Sequence, residues 1–163
     1  MKQRNRYLAQ AAIIAALYTV LTHFQNILLP GSASWAIQLR LSEALCVLAF
    51  FTPAAAAGLS IGCLLFNLSF AGALPLDFLV GTLATWLAAK SMYRLRRKPF
   101  LGLWMPAVFN GILVGWELSV YIGGGFWLNA LYVAVGEAIV LLTLGSILYR
   151  AIKIRNLDQR LLR

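Results

Sequence analysis

The sequence has few of the side chains that enzymes and metal proteins use for chemistry. It contains one histidine, two cysteines and five acidic residues. Cys46 and Cys63 both lie in apolar runs, as small core residues do, which predicts neither a disulfide nor a metal site. A Gly-rich loop ending in Lys-Ser or Lys-Thr and a His-Glu-x-x-His motif are both absent, which excludes those routes to ATP hydrolysis and metal-assisted hydrolysis. We therefore predict a protein that is not an enzyme and has no cofactor.

Apolar residues, in contrast, are abundant. Of the 163 residues, 61% are hydrophobic and the mean hydropathy is +0.80, whereas soluble domains have an apolar share of about 45–50%. The basic, then apolar, N-terminus resembles a signal peptide, but its apolar run continues without a convincing cleavage site. We expect it to be a retained span. The composition predicts an all-α integral membrane protein that forms a single polytopic domain over residues 1–163.

Breaks rich in proline, glycine or charge divide the apolar sequence into six stretches. We predict that each stretch is a transmembrane helix and that the six pack as a bundle. The predicted spans cover approximately residues 7–28, 39–51, 54–70, 76–93, 100–122 and 127–149.

The basic residues set the predicted orientation. Thirteen of the 14 Lys and Arg residues lie in the N-terminal tail, at residues 90–98 or from Arg150 onward, and the exception is Arg40. With six spans these three segments share one side, so the positive-inside rule places both termini in the cytoplasm of a cell-membrane protein. The net charge of +9 therefore indicates contact with lipid and not with nucleic acid.

Polar residues within the spans then fall mainly in the outer half of the bundle. An acidic side chain at the centre of a membrane helix costs roughly 2.5–3.5 kcal/mol on insertion scales, so its presence suggests a use. Several helices would bring amides, carboxylates and aromatic rings to similar depths, which predicts an outward-facing capture pocket. The candidate binding residues are Trp35, Arg40, Glu43, Asn67, Asp77, Asn110, Trp116, Glu117, Trp127, Asn129, Tyr132 and Glu137.

Structural roles compete with binding for most of these residues. Arg40 and Glu43 have the spacing of an ion pair within a helix, and Asp77 suits the dipole at a helix start. The asparagines suit hydrogen bonds between helices and the tryptophans suit a membrane interface. Glu117 and Glu137 have no basic residue nearby in the sequence, and for them the residue pattern favours function.

The first predicted span carries alanines four residues apart. Ala11 with Ala15, and Ala12 with Ala16, both have the spacing that lets a second helix approach closely. Either pair could contact another helix.

Four parts of the sequence resemble the QueT family: QLRLSEAL at residues 38–45, FTPA at residues 51–54, FN at residues 109–110 and FWLNALYVAVGE at residues 126–137. Those proteins are substrate-binding (S) components of energy-coupling factor (ECF) transporters, assigned to the uptake of queuosine precursors. The resemblance implies a six-helix bundle with an outward pocket. It also implies that the alanines of the first span contact a transmembrane coupling (T) subunit, which two cytoplasmic ATPase subunits drive.

The implied ligand is a 7-deazaguanine base, whose guanine-like edge has donors for a carboxylate and an acceptor for an amide or arginine. We expect Glu117 or Glu137 at the donor edge, a tryptophan or Tyr132 against the ring, and Trp35 as a lid. Two other transport functions stay open: an S component for another small vitamin or nucleobase, and a proton-coupled secondary carrier. A third alternative is a structural membrane protein.

Overall fold

A computed structural model describes residues 1–30 and 39–160, apart from the Arg160 side chain. Within these residues 82% of positions are helical and no strand occurs, which confirms the predicted all-α class. The elements are α1 (Lys2–Leu28), a 3₁₀ helix (Leu41–Phe50), α2 (Ala54–Ser69), α3 (Asp77–Arg94), α4 (Pro99–Gly102), α5 (Met105–Tyr121), α6 (Phe126–Val140), a π-helical segment (Leu141–Gly145), α7 (Ser146–Ile154) and α8 (Leu157–Arg160).

By length and composition, three helical stretches of the described chain can cross a membrane: Lys2–Leu28, Pro99–Tyr121 and Phe126–Ile154. The 3₁₀ helix and α2 are apolar but shorter, and α3 includes Asp77, Lys90 and Arg94. The chain is therefore a helical membrane protein. The count of six spans and the location of the termini stay predictions.

The second predicted span differs from the expected α-helix, because residues Leu41–Phe50 form a 3₁₀ helix. A 3₁₀ helix rises about 2.0 Å per residue against about 1.5 Å in an α-helix, so this segment reaches further for its length. It contacts α1, α2, α3, α6, α7 and the π-helical segment. The short element is thus enclosed by the rest of the bundle.

The longer helices pack in chain order, α1 on α2, α2 on α3, α3 on α5 and α5 on α6. The main apolar core lies between the 3₁₀ helix and its neighbours, and Tyr18, Leu59, Met92 and Leu141 are fully buried in it. This core stabilises one half of the bundle, and the polar residues described below lie beside it.

Glycines set the close approach between α1 and α2. A Cβ placed on Gly58 would lie 2.7 Å from the Ala11 carbonyl oxygen, and one on Gly62 would lie 2.7 Å from the Tyr18 Cβ. Neither position has room for a side chain. Ala11 and Ala15 are 5% and 4% exposed on the facing side of α1, so this pair packs within the chain.

Ala12 and Ala16, one residue further along α1 in each case, are exposed. Of the two predicted pairs, therefore, Ala12 with Ala16 is the one left available to a partner helix. The contact with such a partner stays a prediction, now restricted to that pair.

A matched pair of substitutions tests this division of the α1 surface. We expect Ala11→Leu to destabilise the isolated protein by roughly 1–3 kcal/mol, because the added side chain overpacks the contact with Gly58. Ala12→Leu points outward and should change stability by less than about 0.5 kcal/mol. Thermal unfolding in detergent measures both, and equal unfolding temperatures for the two variants would contradict the assignment.

Candidate substrate-binding site

All five acidic residues are buried, and four of them lie within the bundle on four different helical elements. Glu43 lies on the 3₁₀ helix, Asp77 on α3, Glu117 on α5 and Glu137 on α6. Their exposed fractions are 2%, 8%, 0% and 4%. We refer to these four residues as the acidic cluster.

Arg40 is the basic residue associated with the acidic cluster. It is 7% exposed, and its guanidinium interacts electrostatically with all four carboxyl groups. No other basic residue lies between Arg6 and Lys90 or between Lys98 and Arg150 in the sequence. Four carboxyl groups therefore share one guanidinium, and the site favours a ligand that donates hydrogen bonds or carries positive charge.

The Glu43 carboxylate has partners on both oxygens. Tyr18 of α1 donates its hydroxyl hydrogen to Oε1, and Cys46 Sγ lies 3.1 Å from Oε2. Tyr18 and Cys46 are both fully buried. Glu43 is thus held by the protein itself, which gives it a structural role in addition to its charge.

Three further contacts from α1 fix the start of the 3₁₀ helix. The Thr22 and Ser42 hydroxyl oxygens lie 2.7 Å apart. Gln25 Oε1 accepts a hydrogen bond from the Leu41 backbone N–H at 2.7 Å, and its side-chain amide donates to the Leu39 carbonyl. The two Gln25 contacts satisfy the Leu41 N–H and the Leu39 carbonyl, backbone groups without helical partners at this helix start.

Glu137 is only partly satisfied. Its Oε1 accepts a hydrogen bond from Asn110 Nδ2 at 2.9 Å, across the contact between α5 and α6. Its Oε2 is buried without a partner among the described residues. Glu137 therefore faces inward.

Glu117 has no hydrogen-bond partner on either carboxylate oxygen within the described chain. It is fully buried, and its carboxyl group interacts electrostatically with that of Asp77. Because an unpaired carboxyl group is costly in an apolar interior, Glu117 is the least satisfied member of the cluster.

Asn67 and Asp77 connect α2 to the start of α3. Asn67 Nδ2 donates to the Asp77 backbone carbonyl at 2.8 Å, and Asp77 Oδ2 accepts from the Leu74 N–H at 2.6 Å. Asp77 thus closes the turn before α3, as predicted for a carboxylate at a helix start. Asn67 Oδ1, however, is buried without a partner among the described residues.

The unpaired atoms have a common chemistry. In the described chain, five buried side-chain atoms lack a hydrogen-bond partner: Asn67 Oδ1, both Glu117 oxygens, Glu137 Oε2 and the Thr82 hydroxyl. The first four are an amide oxygen and carboxyl oxygens, which accept hydrogen bonds when the carboxyl is ionised. These atoms come from α2, α5 and α6, and together they can accept several hydrogen bonds.

Two of the predicted aromatic residues lie away from the buried acidic cluster. Trp127 is 82% exposed and Trp116 is 48% exposed, so neither indole walls the buried cluster. Tyr132 is half-buried, and Trp35 lies outside the described residues. The aromatic ring next to the site is that of Phe66, whose centroid lies 5.9 Å from Arg40 Cζ.

Asn129 has a local structural role. Its Nδ2 donates to the Gly123 carbonyl at 2.7 Å and holds the turn before α6. Gly123, Gly124 and Gly125 have φ angles of 88°, 82° and 83°, a conformation that glycine adopts without strain. The hydrogen bond assigns Asn129 to this turn.

The members of the acidic cluster are almost fully covered by other described residues. Two apolar cavities of ≈ 590 and ≈ 450 Å³ lie on the outer surface of α5 and α6, and one of ≈ 250 Å³ lies at the basic end of the bundle. None of these three is lined by a member of the cluster. The residues predicted to line a capture pocket are therefore packed inside the described part of the bundle, and the pocket itself stays a prediction.

Tyr18, Thr22 and Gln25 were not predicted to contribute to the site. Their spacing of four and three residues places them on one stripe of α1, and that stripe faces residues 39–43. The periodic polar positions in an apolar span were a signal that could have identified them. Phe66 had no such signal, because one aromatic residue in an apolar helix is ordinary.

In a comparison with protein families, a model described as QueT transporter matches residues 8–154. Neither the curated proteins nor the solved structures gave a match.

We expect Tyr18→Phe to lower stability by roughly 1–3 kcal/mol, because it removes a buried hydrogen bond to the Glu43 carboxylate. Tyr7→Phe, on the same helix but 39% exposed, is the matched control and should leave stability nearly unchanged. Chemical or thermal unfolding measures both variants. If Tyr18→Phe were as stable as Tyr7→Phe, the Tyr18 hydroxyl would not be holding Glu43.

Proposed function

The chain belongs to the QueT transporter family, and on that premise we propose that it is the substrate-binding (S) subunit of an ATP-driven ECF importer for queuosine precursors. Family membership and the apolar helices make it a membrane transporter. The proposed substrates are queuine and related 7-deazaguanine bases, taken up from outside the cell.

The observation that carries the substrate proposal is the set of unpaired buried acceptors. Asn67, Glu117 and Glu137 present four oxygen atoms that lack donors in the described structure. The guanine-like edge of a 7-deazaguanine carries a ring N–H and an amino group, which supply such donors in a fixed plane. A carboxylate accepts paired hydrogen bonds of this kind, and these are stronger than neutral ones.

The two ends of the cluster take different parts of the ligand in this proposal. Glu137, whose other oxygen is held by Asn110, accepts from the donor edge of the base. Glu117, beside Asp77, takes a cationic substituent such as an aminomethyl group. Arg40 meets the ring carbonyl and Phe66 lies beside it. Glu43, already bound by Tyr18 and Cys46, stays a structural member.

Coupling to ATP hydrolysis is assigned to partner subunits. The exposed Ala12 and Ala16 on α1 have the small-residue spacing that allows close packing of a second membrane helix. We assign them the contact with the T subunit, which two ATPase subunits drive.

A proton-coupled secondary carrier is the second candidate function. The same four buried carboxyl groups favour it, since intramembrane acidic residues form proton relays in transporters. It differs from the first proposal in its energy source, and uptake by the chain alone distinguishes the two.

We expect Glu117→Gln and Glu137→Gln each to weaken binding of an aminomethyl 7-deazaguanine by about 10- to 100-fold, the equivalent of one charge-assisted hydrogen bond. Ser119→Ala, on the same helix as Glu117, removes a hydroxyl that donates only to its own helix and should leave affinity unchanged. Isothermal titration of the purified protein in nanodiscs measures the dissociation constants. Affinities within about twofold of wild type for both glutamine variants would refute the carboxylate roles.

Uptake of radiolabelled base tests the coupling proposal. Cells that express the chain with T and ATPase subunits should accumulate base in an ATP-dependent manner. Ala12→Leu with Ala16→Leu should abolish this uptake and leave binding intact, because the larger side chains block a close helix contact. Ala71→Leu, at an exposed alanine in the turn after α2, is the control. Uptake by the chain alone that collapses with the proton gradient would establish the carrier instead.

A further inference from the structure

A cavity of ≈ 250 Å³ lies at the opposite end of the bundle from the turn at Gly123–Gly125. Residues at the ends of the 3₁₀ helix and α3 line it, together with residues of α7 and α8. Ten of the 14 basic residues of the sequence occur at residues 90–98 and from Arg150 onward, in the segments around this cavity. The transport proposal does not use it.

Aromatic rings form the floor of the cavity. The Phe51 and Tyr149 rings are stacked with centroids 5.3 Å apart, and the Phe50 ring meets Tyr149 edge-on at 5.6 Å. Phe50 is 5% exposed. Mutual packing of these rings from two elements makes the floor rigid.

Two cations border this floor. The Arg96 guanidinium lies 4.5 Å from the centroid of the Tyr93 ring and donates to the Tyr93 carbonyl at 3.1 Å. Lys153 Nζ lies 5.2 Å from the Phe51 centroid. Both cations thus line the cavity and lie against aromatic rings.

An acidic side chain of the protein also enters the cavity. Asp158 on α8 pairs with Lys153 at 3.1 Å and is 6% exposed. The turn before α8 contains Asn156 with a φ angle of 52°, which returns the chain toward α7. Asp158 is the chain's one acid outside the acidic cluster, and it provides the cavity with an anionic oxygen beside a cation.

We propose that this cavity binds the phosphate group of an anionic phospholipid, with Arg96 and Lys153 as its cationic partners and with Asp158 as the carboxylate that the phosphate displaces. A cavity of this kind, basic and placed between membrane helices at their positively charged end, suits lipid headgroups. A free phosphate would satisfy the same cations, and the experiment separates the two sources.

Native mass spectrometry of the intact protein, released from detergent that contains phosphatidylglycerol, measures retained lipid. Arg96→Gln and Lys153→Gln should each reduce the retained fraction at least about fivefold, since each removes a charged partner of the phosphate. Lys98→Gln removes the same charge from the same basic loop without lining the cavity, and it should change retention by less than about twofold. An equal loss in Lys98→Gln would overturn the proposal in favour of diffuse attraction to the basic surface.

Asp158→Asn should change lipid retention in the direction opposite to Arg96→Gln and Lys153→Gln. Because it removes the competing carboxylate, it should increase lipid retention, while thermal unfolding checks that the variant is folded. Reduced retention by a folded Asp158→Asn protein would overturn the proposal. Inorganic phosphate at millimolar concentration should fail to displace the lipid. Complete displacement would overturn the assignment to phospholipid and identify a site for free phosphate.

Discussion

A carboxyl group inside an apolar bundle is stable only when the protein replaces the contacts that water would make, and this chain buries four of them together. The replacement is uneven. Glu43 has partners on both oxygens, Glu137 on one and Glu117 on neither among the described residues. The satisfied members hold the bundle together. The unsatisfied members leave hydrogen-bonding capacity, and the proposed binding of a donor-rich ligand rests on that capacity.

Small residues bring these polar groups within reach of one another. On α5 and α6, a Cβ on Gly115 would lie 2.6 Å from the Ala130 Cα, so the two backbones are nearly in contact. Asn110 and Glu137 form their hydrogen bond across this same pair of helices. On α1 and α2, the close contact of Gly62 with Tyr18 positions the hydroxyl that reaches Glu43. Close packing and polar pairing are therefore parts of one arrangement.

The two ends of the bundle have opposite charge. The acidic cluster lies with Arg40 on one side of the apolar core, and the aromatic cavity with Arg96 and Lys153 lies at the other. An acceptor-rich cluster suits a cationic or donor-rich base, and a cation-rich cavity suits an anionic headgroup. The orientation of these two regions in the membrane stays a prediction, in which the basic end faces the cytoplasm.

The sequence by itself determined that the chain is helical, that it belongs in a membrane, and that Glu117, Glu137 and the asparagines are unusual there. Those conclusions rest on local composition and on the free energy of placing polar groups in hydrocarbon, and they need no knowledge of neighbouring helices. Only the tertiary structure decided that Ala11 and Ala15 pack internally, that Trp116 and Trp127 face outward, and that the stripe from Tyr18 to Gln25 supports residues 39–43. The rotation of each helix about its own axis depends on which neighbours its small and polar residues meet, and those neighbours lie far away in sequence. A residue pattern identifies a helix face that is rich in small or polar residues. The neighbouring helix determines whether that face is buried in the bundle or exposed.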